Sequence, residues 1–106
     1  MKNHQKEKIV DLIEYKEEKA NSRFILKGIE TGMLLVALKK GNTLPEHVSN
    51  RDAVICVLEG EVDFIINIKG EKKPFLLCRG EIFPFQANEK HEVLAKEDSK
   101  LMIIKI

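Results

Sequence analysis

Residues 41–60, GNTLPEHVSNRDAVICVLEG, carry the reading of the fold. Two glycines frame a polar loop with Pro45 and His47, followed by an apolar run, AVICVL, at 53–58. The run is apolar at both parities: Ala53, Ile55 and Val57 face one way, Val54, Cys56 and Leu58 the other. That pattern suits a strand buried on both sides, by a barrel interior and by a packing partner. Residues 80–95, GEIFPFQANEKHEVLA, repeat the format with His91 as their histidine. Together the two segments indicate where a pocket lies.

Working outward, the rest of the chain keeps the same rhythm. Residues 23–26 (RFIL) and 33–38 (MLLVAL) are apolar and β-forming, with Gly28 and Gly32 bracketing a turn between them. Residues 62–68 alternate, Val62, Phe64, Ile66 and Ile68 against Asp63 and Asn67, as expected of a strand with one buried face. Further strands are expected at 75–78, 82–85, 91–95 and 101–106, with Pro84 marking an edge or bulged position because proline cannot donate to a ladder. Residues 9–15 (IVDLIEY) fit either a helical turn through Ile9, Leu12 and Ile13 or an edge strand, and are read as a strand. Residues 16–22 permit a helix, and the segment holding Pro45 and His47 reads as a loop. Eight or nine short strands punctuated by glycine, with no room for βαβ crossovers, predict an all-β sandwich or barrel. The chain is expected to be one domain over residues 1–106, with a polar extension at 1–8 that frays or forms a short helix.

Composition narrows the function. With 18 Lys and Arg against 17 Asp and Glu, interspersed along the chain, there is no clustered basic face for nucleic acid. No apolar run approaches the roughly twenty residues of a bilayer span, and the charged start lacks the apolar stretch of a secretory signal. No membrane association and a cytoplasmic location are the expectations. Cys56 and Cys78 are too far apart for a CxxC motif and, lying in apolar segments, read as small buried hydrophobes. His4, in the polar start, is given no role.

The two histidine segments resemble the paired motifs of the cupin superfamily, G-x5-H-x-H-x3or4-E-x6-G and G-x5-P-x-G-x2-H-x3-N. Gly41, His47 and Gly60 match the first, with Ser49 at its second histidine and Ala53 at its glutamate; Gly80 and His91 match the second, with Gln86, Asn88 and Ala95 at its proline, glycine and asparagine. The resemblance covers residues 33–106. It implies a double-stranded β-helix, or jelly-roll barrel, of the small single-domain type, which pairs as a homodimer through one sheet. It also implies a metal site of three histidines and one carboxylate, for iron, manganese, zinc or nickel. Only His47 and His91 remain of that set. Catalytic zinc usually takes three protein donors and facial-triad iron a carboxylate, so no firm metal is expected, and His47 and His91 are at most weak ligands for Zn, Ni, Mn or Fe at low occupancy. Glu46 and Glu92, each next to a histidine on an extended segment, face away from it and do not complete the set.

Three functions are compatible with these residues. A ligand-binding barrel holds a small polar or anionic molecule through His47 and His91, with Ser49, Phe83 and Phe85 as further lining. A metal-dependent enzyme of the dioxygenase or isomerase type, or a metal-free acid–base catalyst, runs its chemistry on the same two imidazoles. A dimeric scaffold has a vestigial pocket. The first is the expectation carried forward.

Overall fold

The computed structural model describes residues 4–106. Nine strands follow in order: β1 (Asn21–Lys27), β2 (Gly32–Leu38), β3 (Thr43–His47), β4 (Ala53–Glu59), β5 (Glu61–Ile68), β6 (Glu71–Cys78), β7 (Ile82–Phe85), β8 (Lys90–Ala95) and β9 (Ser99–Lys105). They form a five-stranded sheet, β1-β2-β9-β4-β7, and a four-stranded sheet, β3-β8-β5-β6. Every recorded pairing is antiparallel. The two sheets close on an apolar core that includes Val36, Ile55, Val57, Val62, Phe64, Val93 and Leu101. This is the all-β jelly-roll barrel expected from the sequence. Among the described residues, no helix is long and apolar enough to cross a membrane.

Alternation decides which side chains enter the barrel. On β5, Val62, Phe64 and Ile66 are buried while the residues between them are half-exposed, and β4 and β8 repeat the pattern. The three prolines, Pro45, Pro74 and Pro84, lie in β3, β6 and β7, all edge strands, where a missing N–H leaves no inner ladder broken.

Three expectations are corrected. Residues 9–15 are not a strand: Ile9–Leu12 form one 3₁₀ turn, and Ile13 is buried with Leu35 and Ala37. The segment lies over the outer face of the five-stranded sheet, anchored by Lys100 Nζ donating to the Val10 carbonyl at 2.6 Å and by the Tyr15 hydroxyl donating to Glu59 at 2.6 Å. Its apolar residues at helical spacing supply the cover for one side of the sheet. The missing strand is instead β3, within the segment read as a loop; its low apolar content reflects a position at the sheet edge. Cys78 is exposed rather than buried, because it ends the edge strand β6 with neighbouring Leu77 as the inward residue, while Cys56 is half-buried on the outer face. Of the N-terminal extension, residues 1–3 lie outside the described residues and residues 4–8 carry no helix or strand.

Gly60 makes the tight β4–β5 turn with φ +84°, and a Cβ there would run into the Asp98 carbonyl and the Ser99 hydroxyl. Gly80 has φ +86° with no atom within 4 Å of such a Cβ. Both Gly→Ala changes carry the left-handed penalty of roughly 1–2 kcal/mol. Gly60→Ala adds a clash with backbone, so its urea midpoint is expected to fall clearly below that of Gly80→Ala.

Candidate functional site

The site is built by strand register. His47, the last residue of β3, is the direct cross-strand partner of His91 on β8, which is in turn opposite Ile66 on β5. Side chains of paired residues emerge on the same face of a sheet. The imidazole centroids accordingly lie 4.2 Å apart, edge to face. His47 is exposed at the rim and His91 is buried, 4% exposed.

Each ring is fixed in the same way. His47 Nδ1 is 2.8 Å from the Pro45 carbonyl and His91 Nδ1 is 2.8 Å from the Glu89 carbonyl. A carbonyl only accepts, so each Nδ1 is the donor and carries a proton, and in the neutral form of either ring the lone pair is on Nε2. Burial pushes the His91 imidazole below its ordinary 6.5; the hydrogen bond to the Glu89 carbonyl opposes this, while the charges of His47 and Lys105 add to it. Near neutral pH His91 is therefore an unprotonated hydrogen-bond acceptor.

The segments carrying the histidines are stitched together by backbone. Asn88 N–H donates to the Ser49 carbonyl at 2.7 Å, Gly41 N–H to the Ala95 carbonyl at 2.9 Å, and Ala95 N–H to the Asn42 carbonyl at 3.0 Å. Ala87 N–H donates to Asp52 Oδ1 at 2.9 Å. The sequence departures inside these segments have local reasons. Asn88 has φ +69°, the left-handed region that asparagine tolerates better than most residues, so a conformation suited to glycine survives without one. Gln86 uses the N–H that a proline would lack, donating to Glu89 Oε1 at 2.7 Å.

These elements complete a pattern of two sheets, paired histidine segments and left-handed turns at Gly41, Gly60 and Gly80. The chain has a cupin fold. Among solved structures, a cupin superfamily protein from Desulfitobacterium hafniense matches with a TM-score of 0.89 at 17% identity, over 100% of this chain and 94% of that one. A conserved protein of unknown function from Streptococcus pyogenes matches with a TM-score of 0.89 at 17% identity, over 100% and 90%. A cupin 2 conserved barrel domain protein from Leptotrichia buccalis is 28% identical with a TM-score of 0.81, over 92% of this chain and 45% of that one. No protein-family model and no curated protein matches the chain.

The cupin barrel brings together some of the candidate residues and separates others. His47 and His91 share one site. Ser49 is buried beside them in sequence, but its hydroxyl accepts the Arg51 N–H at 3.2 Å, closing a local turn. Phe83 and Phe85 both pack on Phe64, at 5.2 and 5.0 Å, and Phe85 also stands 4.5 Å from His91. They wall a cleft of about 640 Å³ whose lining includes Ile66, Ile68, Phe75 and Ile106 but neither histidine. Glu46 accepts from Asn67 at 3.3 Å and Glu92 pairs with Lys72 at 2.9 Å, both turned from the imidazoles as the alternation requires. Ala53 offers no donor atom, and among the described residues no group of three or more His, Cys, Asp or Glu side chains is placed to hold a metal ion. Two imidazoles alone do not fit the family's four-donor metal site.

Two residues escaped the sequence reading. Lys105 ends the inward series Leu101, Ile103, Lys105 on β9 and acts on His91 through its charge; strand parity alone marks it. Arg51 holds its Nε buried without a hydrogen-bond partner among the described residues, which no pattern in the sequence signals.

A proton binds His91 near pH 6.5 in the unfolded chain but only at lower pH in the folded one. The unfolded state therefore binds more protons in that window, so this contribution to stability is present above about 6.5 and is lost as pH falls from there to the folded value. Urea midpoints measured from pH 8 to pH 5 are expected to fall more steeply for the wild type than for His91→Gln. Parallel curves for the two proteins would contradict the burial of a neutral imidazole.

Proposed function

We propose that this cupin barrel binds a small polar or anionic molecule at its histidine pair, without a tightly held metal. The observation that carries the reading is the pairing itself: two imidazoles 4.2 Å apart, each with Nδ1 committed to a carbonyl and Nε2 left for a ligand. An imidazole with its proton on Nδ1 accepts through Nε2, so the group it holds is a donor such as a hydroxyl. The Lys105 ammonium, whose charge acts on His91, suits an acidic group on the same molecule. A hydroxy acid, such as a sugar acid, combines both features. Free cysteines at Cys56 and Cys78 fit a reducing, cytoplasmic setting.

Metal analysis of protein purified without an affinity tag, repeated on His47→Ala, separates this reading from a metal enzyme. Substoichiometric metal in both proteins, with thermal stabilisation of the wild type by sugar acids that is lost in His47→Ala, is the expected result. Stoichiometric metal that disappears in His47→Ala would overturn it in favour of the metal-dependent dioxygenase or isomerase class.

The partner proposed for the barrel is a second copy of the chain. Met33, Ile104 and Val54 form one cross-strand row on the outer face of the five-stranded sheet, with Ile82 on the neighbouring row. The N-terminal segment covers the part of this face around Leu35 and Ala37 and leaves that row half-buried. A homodimer through this face, as the cupin resemblance implies, removes the row from water. Light scattering is expected to give twice the chain mass for the wild type and the monomer mass for Ile104→Asp; a monomeric wild type would exclude the pairing.

A further inference from the structure

Beyond the histidine pair, the geometry points to a second binding site: the cleft beside β6 and β7 takes an aromatic primary amine in its ammonium form. At about 640 Å³, its volume is within the range of small-molecule pockets, roughly 300–1,000 Å³. Its lining is apolar and aromatic, and part of it is held open to water: Phe75 is 38% exposed and Ile68 42%. Phe75 and Phe83 stand 4.8 Å apart, tilted at 43°, offering ring surface to a flat guest.

Charge selects the guest. The polar lining residues are Asp52, Gln86 and Glu89. One oxygen of Asp52 accepts the Ala87 N–H and one of Glu89 accepts the Gln86 N–H, which fixes both carboxylates in place. Among the described residues neither is in an ion pair. Two anchored carboxylates outside any ion pair, beside aromatic surface, favour an ammonium and disfavour a carboxylate. Phe85 stands between this cleft and His91: it lines the first and packs on the second. The cleft adjoins the imidazole pair through Phe85, Ile66 and Glu89, whose carbonyl accepts from His91 Nδ1, but neither histidine lines it.

The test is an amide chemical-shift titration of the full chain at pH 7 with three probes of one shape: phenethylamine, 2-phenylethanol and 3-phenylpropionate. Phenethylamine is expected to bind roughly tenfold more tightly than 3-phenylpropionate, the alcohol falling between, with shifts centred on Ile66, Ile68 and Gln86. Asp52→Asn with Glu89→Gln keeps both backbone acceptors and should compress that ratio to less than about threefold. Phe75→Ser, on an exposed edge position, should abolish binding, while His47→Ala should leave it unchanged. Equal or reversed affinities, a preference that survives neutralising both carboxylates, shifts centred elsewhere, loss of binding in His47→Ala, or no binding by any probe would each overturn the proposal.

Discussion

The structure depends on the Phe64 ring. It projects from β5 into the barrel, is 1% exposed, and touches Phe83 and Phe85 of the opposite sheet and His91 of its own. A single aromatic side chain buries on the order of 150–250 Å². Placed between the layers, it joins the two sheets where the barrel would otherwise be hollow. Its contacts also divide the interior, with the imidazoles backed by one part of the aromatic cluster and the cleft walled by another. The desolvation that lowers the proton affinity of His91 comes from the same packing: Phe64 stacks on that ring at 5.6 Å and Phe85 meets it at 4.5 Å.

Around that cluster, the motif positions keep backbone roles after losing side-chain ones. Ala53 has no carboxylate, yet it pairs with both Phe85 and Lys105 and remains buried in the core. Ala95 replaces an asparagine and still exchanges two backbone hydrogen bonds with the Gly41–Asn42 turn. The geometry that aims side chains at one point is therefore carried by ladders and turns, which tolerate changes at the ligand positions. What differs is the charge: beneath the larger effect of burial, the Glu89 carboxylate raises the proton affinity of His91 and the cationic Lys105 lowers it.

Much of this was legible in the chain. Alternation on β5 and the doubly apolar β4 identified the core because strand side chains have a period of two, and the spacing from Gly41 to His47 and from Gly80 to His91 marked the two segments whose imidazoles stand 4.2 Å apart. What was missed had weaker local signals. β3 carries proline and few apolar residues, since an edge strand needs only one neighbour, and so it read as a loop. Ile9, Leu12 and Ile13 are apolar because they cover a sheet from outside, and their short 3₁₀ turn lacks the length that separates a helix from a strand. The cleft is a gap between the ends of β5, β6 and β7, and such a gap depends on how strands splay, which no one-dimensional pattern contains.

The placement of the prolines has a bearing on how the molecule behaves at high concentration. A sheet edge is a row of donors and acceptors open to any passing extended chain, and such rows seed aggregation. Pro45, Pro74 and Pro84 each remove a donor from one of three edges. The fourth, β1, has no proline; it carries a register break between Phe24 and Leu26, the positive charges of Arg23 and Lys27, and side-chain hydrogen bonds from Asn21 and Arg23 to the Glu14 and Leu12 carbonyls. Strand-to-strand addition is thus discouraged by proline on three edges, and on the fourth by charge, a register break and the N-terminal segment.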